Sequence, residues 1–319
     1  MKGDLLTIFP KTILASVVLL CATAQAAPFA YVSNQKSGTV SVIDTATDTV
    51  LRQISAGKLP RGISSDRAGR QLFVADGDTN ALLLVDNVGT LPIRSVFLAK
   101  SPQQVSTSVD GQYLAIAVEE SNTVTLLDAH TRALIEDIPV QGRKPQHAVF
   151  SPDGHWLLVS GEQAGQVDVI DVAQRSQTGS IAVGLHPRGI GFSPDGKFAY
   201  VACEQANAVY VIDMATHTVA AIIPVGKSPD GIAVHPSGKQ VYVSNGADGS
   251  VMLIDAANNS VSATIPVGQR PAYMALTADG RKLYVANGHE NTISVIDTSI
   301  ASKIADIPVG ESPWGVLIR

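Results

Sequence analysis

Residues 229–267 read PDGIAVHPSGKQVYVSNGADGSVMLIDAANNSVSATIPV, and this stretch decides the fold. It contains four short apolar runs, Gly231–His235, Gln240–Ser244, Ser250–Ile254 and Val261–Val267. Gly, Ser, Asn and Asp residues separate these runs. Short apolar runs bounded by such residues are typical of β-strands joined by tight turns. The stretch therefore predicts one small antiparallel sheet of four strands.

The same unit recurs seven times along the chain. An Asp ends the third run of each unit, and successive Asp residues lie 42 or 43 positions apart. A Pro opens the first run of each unit at a nearly constant phase. Repetition with a fixed period of this length is typical of propellers and other repeat folds. The repeated aspartates are Asp44, Asp86, Asp128, Asp171, Asp213, Asp255 and Asp297.

The repeated turn residues have mechanical explanations. A Gly between the first and second runs can supply the positive φ that a tight hairpin needs. The repeated Asp can accept a hydrogen bond from the backbone two residues on, which forms an Asx-turn. We therefore expect both to be structural and do not interpret the aspartates as a catalytic or metal-binding array. The glycines are Gly69, Gly111, Gly154, Gly196, Gly238 and Gly280.

The strands are apolar on both faces, so each small sheet must be covered on both sides. Radially stacked blades provide that cover. The first predicted strand, Phe29–Asn34, corresponds to the second strand of a unit, and the last segment, Ser312–Arg319, corresponds to a first strand. We therefore predict an all-β, seven-bladed β-propeller of four-stranded antiparallel blades, closed by the C-terminal strand completing the N-terminal blade. An open stack would leave both end strands unpaired.

The N-terminus has the pattern of an export signal. Lys2 and Lys11 flank its start, residues 13–24 form an apolar run, and Ala24–Ala26 fits the small-residue rule for cleavage. The run is shorter than the roughly 20 residues that a membrane span needs. We expect residues 1–26 to be a cleavable signal peptide, with an uncleaved anchor as the alternative. The propeller, residues 27–319, is then expected in the periplasm, or alternatively outside the cell or on its surface, without stable membrane insertion.

Composition excludes several classes of function. The formal net charge is −5, without blocks of Lys and Arg, which argues against nucleic acid as a partner. Cys203 is the one cysteine beyond the signal peptide, so no internal disulfide is expected. It ends a predicted strand, where a buried thiol is the simplest interpretation. We expect a monomer.

The repeats resemble the YVTN family of β-propeller repeats, named for a Tyr-Val-Thr-Asn motif. Related stretches occur here at Tyr31–Asn34, Tyr242–Asn245 and Tyr284–Asn287. The chain is similar to the exported, seven-repeat group associated with pyrroloquinoline-quinone-dependent catabolism. The resemblance implies the propeller fold and an accessory role beside a quinoprotein oxidation system. The tryptophan-docking motif of quinoprotein dehydrogenases is missing, so we expect no bound cofactor.

Loops at one end of the propeller carry the candidate site. The residues directly after the seven prolines should line the mouth of the central channel on this face, and they differ from blade to blade although the strands do not. The scaffold does not require this variety, so the sequence predicts a site there for a ligand or partner. An exposed Trp with Arg neighbours would suit stacking; the alternative is a plug of side chains. The predicted site residues are Arg61, Gln103, Gln146, His147, Arg188, Asp230, Tyr273 and Trp314.

Charged residues on this face segregate between two loop sets. The loops before the first strands are mainly basic and predict an inner collar, whereas the loops between second and third strands are mainly acidic. Neighbouring loops can pair with each other, or they can orient a charged ligand. His147, His186 and His289 map to this face but lie in different loops, so we predict no metal site.

No catalytic constellation stands out from the repeats, so we predict no catalytic residues. The first hypothesis is a non-enzymatic exported binding or scaffold protein whose loop-rich face takes an unknown protein or a small charged ligand. A propeller enzyme of the lactonase type is the second hypothesis, although no motif for that activity is evident. A cell-surface interaction protein is the third.

Overall fold

All seven repeat units form antiparallel sheets in the computed structural model, which describes residues 28–319. The predicted signal peptide lies outside these residues. The strands in chain order are β1 (Phe29–Asn34), β2 (Thr39–Asp44), β3 (Thr49–Ser55), β4 (Pro60–Ser65), β5 (Gln71–Asp76), β6 (Ala81–Asp86), β7 (Arg94–Phe97), β8 (Pro102–Thr107), β9 (Tyr113–Val118), β10 (Thr123–Asp128), β11 (Leu134–Pro139), β12 (Pro145–Phe150), β13 (Trp156–Gly161), β14 (Gln166–Asp171), β15 (Ser176–Ala182), β16 (Pro187–Phe192), β17 (Phe198–Cys203), β18 (Ala208–Asp213), β19 (Thr218–Pro224), β20 (Pro229–Val234), β21 (Gln240–Asn245), β22 (Ser250–Asp255), β23 (Ser260–Pro266), β24 (Pro271–Leu276), β25 (Lys282–Asn287), β26 (Thr292–Asp297), β27 (Ser302–Pro308) and β28 (Pro313–Ile318).

The first blade closes the ring with strands from both ends of the described chain. Its order is β28-β1-β2-β3, and blades 2 to 7 follow in sequence from β4 to β27. Val32 pairs with Val316 in the antiparallel ladder between β1 and β28. The N–H of Phe29 donates to the carbonyl of Arg319 at 2.6 Å, and the reverse bond measures 2.9 Å. The predicted closure is therefore confirmed.

Apolar side chains fill every boundary between neighbouring blades. Seven buried clusters are present among the described residues, and each joins two adjacent blades. At the seam, Val32 of blade 1 packs in one cluster with Tyr284 of blade 7, and both are fully buried. Burial of one large apolar side chain contributes about 1.5–3 kcal/mol. The expectation of blades covered on both faces is confirmed.

The repeated turn residues have their predicted structural roles. All six hairpin glycines have a positive φ, between 67° and 75°. Asp44 accepts a hydrogen bond from the N–H of Ala46 at 2.7 Å, and Asp213 accepts one from Ala215 at 2.8 Å. Cys203 is buried as expected, and burial raises its pKa to about 12. A thiol with that pKa stays protonated and unreactive at neutral pH.

Blade 2 departs from the repeat at its outer strand. β7 spans only Arg94–Phe97, and its ladder with β6 ends at the pair Leu84 and Arg94. Pro92 precedes this strand; it lacks an N–H and so cannot donate to the ladder. Leu91 and Phe97 are 66% and 83% exposed.

Within residues 28–319 there is no helix with the length and apolar character of a membrane span.

The inner strands of the ring pack with their backbones in contact. Ser244 on β21 accepts a hydrogen bond from the N–H of Gly231 at 2.8 Å and donates to the carbonyl of Ala272 at 2.7 Å. This serine therefore links the inner strand of its own blade to that of the next. A Cβ at Gly231 would lie 2.5 Å from the Ala272 oxygen, which leaves no room for a side chain.

We expect Gly231→Ala to lower the free energy of unfolding by about 1–3 kcal/mol, because the inner strands would have to move apart. Gly179→Ala is the matched control, since a Cβ there would meet nothing within 4 Å. Denaturant unfolding of both variants measures the difference. Equal stability of the two variants would contradict close packing of the inner ring.

Candidate functional site

The mouth of the central channel holds two adjoining cavities. One has a volume of ≈ 340 Å³ and the other ≈ 580 Å³, and they share Gln146, Arg188, Asp230, Arg270, His289 and Trp314 in their walls. Six of the predicted site residues line the smaller cavity, and Tyr273 lines the larger one. His147 lines neither. The six are Arg61, Gln103, Gln146, Arg188, Asp230 and Trp314.

On the side of blades 2 and 3, the polar groups of the mouth are bonded to each other. Arg61 Nη1 donates to Ser101 Oγ at 3.1 Å, and Ser101 Oγ donates to Glu119 Oε2 at 3.0 Å. Gln103 Nε2 also donates to that carboxylate. Lys144 Nζ lies 3.4 Å from its other oxygen. These contacts satisfy both oxygens of the Glu119 carboxylate on this side of the mouth.

Arg188 is the centre of a second paired group. Its Nε and Nη2 lie 2.8 and 2.7 Å from Glu204 Oε2, and its Nη1 lies 3.4 Å from Glu162 Oε2. Burial acts to lower the pKa of Arg188, but the carboxylates of Asp230, Glu162 and Glu204 outweigh it and raise that pKa. His186 Nδ1 lies 3.4 Å from the other oxygen of Glu162. The guanidinium therefore stays charged.

These contacts confirm the predicted pairing of neighbouring loops and correct the picture of a basic inner collar. Glu119 and Glu162 line the inner cavity beside the arginines instead of remaining in a separate outer set. Asp76, at the end of β5 where one of the acidic loops begins, is fully buried. Its carboxylate accepts backbone N–H bonds of 3.0 Å from both Lys58 and Leu59. Ion pairing draws the glutamates inward, and backbone donors hold Asp76 in a structural role.

Asp230 differs from the other carboxylates of the inner mouth. It follows Pro229 on β20 and is partly buried, yet within residues 28–319 its carboxylate has no hydrogen bond and no ion pair within 4.0 Å. Burial raises the pKa of Asp230, because the charged form loses water. The positive charges of Arg188 and Arg270 oppose that rise, whereas Glu204 and Glu162 add to it.

Several other polar groups beside Asp230 also have no side-chain partner in the described part of the chain. They are the amide of Gln146, the guanidinium of Arg270, the imidazole of His289 and the indole N–H of Trp314. Arg270 immediately precedes a repeat proline, so a search on both sides of each proline would have selected it from the sequence. The side of the mouth formed by blades 4, 6, 7 and 1 therefore has free donors and acceptors.

Trp314 is partly buried, not exposed as the sequence suggested. Its ring centroid lies 4.5 Å from that of Tyr273, with the planes inclined by 53°. No cation–π contact to Trp314 occurs among the described residues. The stacking partner is therefore an aromatic ring from the preceding blade and not an arginine.

His147 and Tyr273 close the channel beneath the mouth. Their ring centroids are 5.5 Å apart in an edge-to-face arrangement, although they come from blades 4 and 7 on opposite sides of the ring. The N–H of Ile190 donates to His147 Nδ1 at 3.0 Å, and burial lowers the pKa of this histidine to about 3. His147 is therefore neutral and belongs to the plug that the sequence analysis gave as the alternative.

The position of these two rings has a local cause. They occupy the second position after the proline, where the side chain points toward the channel centre and the next blade. Four blades have Gly there because the neighbouring inner strand leaves no space. At Gly189, for example, a Cβ would lie 2.5 Å from the backbone carbonyl oxygen of Asp230. Across residues 28–319, no group of three or more His, Cys, Asp or Glu could hold a metal ion.

The opposite face has a larger cavity of ≈ 940 Å³, which the sequence analysis did not predict. Arg67, Arg281, Lys282 and Arg319 contribute to its walls. Lys282 Nζ lies 2.7 Å from Asp48, and Arg281 Nε lies 3.8 Å from Asp279 Oδ2. Part of its positive charge is therefore already balanced.

Comparisons with known proteins agree with the architecture. A family model described as "Lactonase, 7-bladed beta-propeller" matches residues 81–182 and 174–305. No curated protein sequence matches the chain.

Solved structures with a similar fold include proteins with different titles. Hydrazine synthase from Kuenenia stuttgartiensis has a TM-score of 0.78 at 22% identity, over 85% of this chain and 92% of that one. A functionally unknown protein from Desulfotomaculum acetoxidans DSM 771 has a TM-score of 0.78 at 19% identity, over 91% and 98%. The dihydro-heme d1 dehydrogenase NirN, in complex with DHE, has a TM-score of 0.67 at 18% identity, over 90% and 66%. At these identities the likeness concerns the fold alone.

Proposed function

We propose, from the premise that the chain belongs to the family described as "Lactonase, 7-bladed beta-propeller", that its channel mouth binds a small molecule. The observation that carries this proposal is the carboxylate of Asp230, which has no partner within residues 28–319 although it is partly buried in the wall of both mouth cavities. Desolvating an ionised carboxylate without a partner is costly. A ligand group that donates to Asp230 would offset that cost.

The groups around Asp230 define what such a ligand offers. Asp230 accepts, the guanidinium of Arg270 donates, and the amide of Gln146 does both. Trp314 adds an aromatic face with an N–H at its edge. A compact polar molecule with a flat or ring-shaped part and both donor and acceptor groups fits this set. Binding without turnover is the first candidate function.

Hydrolysis of a lactone is the second candidate, and the raised pKa of Asp230 favours it. A carboxylate with a raised pKa is better suited to act as a general base. Asp230 would take a proton from water while the water oxygen bonds to the lactone carbonyl carbon. It would return that proton to the ring oxygen as the ring C–O bond breaks. The N–H groups of Arg270 would stabilise the negative charge on the carbonyl oxygen.

A panel of γ-butyrolactone, δ-valerolactone and glucono-δ-lactone tests both candidates. Hydrolysis is followed by acid release at constant pH, and binding is followed by the fluorescence of Trp314 in a chain that carries Trp156→Phe. For hydrolysis at the mouth, we expect Asp230→Asn to reduce the rate by about 10²–10⁴-fold. The wild-type rate should fall as the pH drops through the pKa of Asp230, because the base becomes protonated.

Asp195→Asn provides the control, since Asp195 lies in the hairpin turn after β16, away from the mouth. Turnover that survives Asp230→Asn unchanged would exclude Asp230 as the base. A change in Trp314 fluorescence without turnover would support binding as the function and exclude hydrolysis of these lactones. A panel without binding or turnover would count against hydrolysis and against the binding of neutral lactones at the mouth.

The cellular setting is a further part of the proposal. The N-terminal pattern supports export, and a periplasmic or surface location follows from it. The YVTN-like motifs support an accessory role beside a quinoprotein oxidation system, with a partner protein at the loop-rich face. Fractionation of cells that produce the full chain tests the location.

A further inference from the structure

Negative charge exceeds positive charge in the walls of the two mouth cavities. Three guanidinium groups line them, from Arg61, Arg188 and Arg270. Five carboxylates line them as well. Lys144 reaches Glu119 from outside the lining and removes part of the excess. A cleft with an excess of one charge concentrates ligands of the opposite charge. The carboxylates are Glu119, Glu162, Glu204, Asp230 and Asp248.

Among these carboxylates, Asp230 is the one without a hydrogen bond or ion pair within residues 28–319, although the charges of Arg188 and Arg270 act on it from a longer distance. Glu119 is bonded to Gln103 and Ser101, and Glu204 is bonded to Arg188. Asp248 accepts the N–H of Lys227 at 2.7 Å. Arg188 directs its Nε, Nη1 and Nη2 toward Glu204 and Glu162, so it donates no hydrogen bond to Asp230. A positively charged ligand group could therefore pair directly with the Asp230 carboxylate.

An anionic ligand would meet the opposite conditions. Arg270 is exposed, so its guanidinium is already hydrated and gains little from a new partner. A carboxylate ligand beside it would also face Asp230 and Asp248 in the same cavity. Like charges in a partly buried site repel strongly. The mouth is therefore unfavourable for a simple anion.

An aromatic surface lies in the same wall as Asp230. Trp314 and Tyr273 line the larger cavity with it, and their rings pack on each other. The face of a Trp ring attracts cations and also stacks on flat groups. A carboxylate beside an aromatic pair is well suited to a protonated amine attached to a ring.

We propose that the mouth selects a small organic cation, a ring compound with a protonated amine, whose ammonium group pairs with Asp230 and whose ring packs on Trp314. This rests on the proposed function, because it names the ligand class of the same site. Asp230 is the specificity-determining residue, and Trp314 positions the ring.

Three probes of nearly equal shape test the selection: benzylammonium, benzyl alcohol and benzoate. The chain has two tryptophans, so Trp156→Phe leaves Trp314 as the fluorescent reporter. We expect benzylammonium to change Trp314 fluorescence saturably, with a Kd at least about tenfold below that of benzyl alcohol. Benzoate should not bind. Circular dichroism confirms that the reporter variant is folded.

Variants assign the selectivity to one carboxylate. Asp230→Asn should remove the preference for benzylammonium over benzyl alcohol, because the amide carries no charge. Asp195→Asn, on the opposite face, should leave it unchanged. Glu290→Gln, an exposed residue of a mouth loop, separates a specific pairing from a general effect of surface charge. It should also leave the preference unchanged.

The pH dependence supplies a second readout. An alkylammonium stays protonated below about pH 9, as a lysine side chain does. Benzylammonium affinity should therefore fall as the pH is lowered through the pKa of Asp230, and Asp230→Asn should abolish that dependence. The charged and titratable groups that face Asp230 are Arg188, Glu204, Arg270 and Glu162, with His289, Asp248 and Tyr273 in the same wall.

The outcomes separate this inference from the proposed function. If benzoate bound more tightly than benzylammonium, the mouth would still be a binding site but the cation selectivity would be wrong. Equal affinity for benzylammonium and benzyl alcohol would have the same meaning. If none of the probes bound, the cation selectivity would be refuted, while the lactone panel would still report on the proposed function.

Discussion

A chain that stops after Ser312 is expected to lose its cooperative unfolding transition and to aggregate. Removing β28 leaves β1 without its inner neighbour, because the ladder through Val32 and Val316 is lost. It also removes Val316 and Ile318 from the cluster between blades 7 and 1. An exposed sheet edge in a hydrophobic seam promotes association with other chains. The loss should exceed about 4–5 kcal/mol, at the upper end of single-site effects.

Guanidinium unfolding followed by circular dichroism, together with size-exclusion chromatography, measures this effect. A chain extended by Gly-Ser-Gly beyond Arg319 controls for any change at that end, and it should unfold like the wild type. A synthetic peptide of residues 313–319 should restore part of the transition to the truncated chain. A monomeric truncated chain with wild-type stability would refute the role of the seam.

Arg188→Ala is expected to lower the free energy of unfolding by about 2–4 kcal/mol. Removing one partner of a fully buried ion pair costs roughly 3–5 kcal/mol, and solvent screening reduces that range because the Arg188 side chain is 26% exposed. The substitution leaves Glu162, Glu204 and Asp230 facing each other without the cation between them. Their mutual repulsion should open the mouth.

The pH dependence of this variant has a defined sign. Without Arg188, Asp230 loses the first of the positive charges that oppose the rise of its pKa, so that pKa lies further above its unfolded value and the folded variant binds more protons than the unfolded chain. Its stability should therefore recover as the pH falls from 7 toward about 4.5, where carboxylates begin to protonate. Arg143→Ala, an exposed residue of the same face, is the control. A variant whose deficit is constant with pH would contradict the repulsion argument.

The repeats made the strands and their order predictable, because each blade uses the same local rules. Gly196 and Asp213 act as the turn residues that their positions suggested. Blade 2 is the exception, where Pro92 precedes a shortened outer strand and Phe97 is exposed. A closer weighing of proline within that run would have predicted it.

The candidate site was predictable as a set of positions but not as a set of roles. The sequence placed Arg188 and Asp230 together at one mouth, and the structure brings both into the same cavity. The sequence did not distinguish the paired arginine from the carboxylate that has no partner within residues 28–319. His147 was placed at the mouth, although its ring contacts Tyr273 across the channel and accepts a backbone N–H. Those contacts join residues that are 126 and 43 positions apart.

The sequence by itself determined the blade, the number of blades and the closure of the ring. These depend on period-two apolar patterns and turn residues, which act over a few neighbouring positions. Only the tertiary structure decided which polar groups at the mouth remain free. Whether a carboxylate is paired depends on the direction of side chains from several blades, and Arg188 turns toward Glu204 and Glu162 and leaves Asp230 without a partner in the described chain.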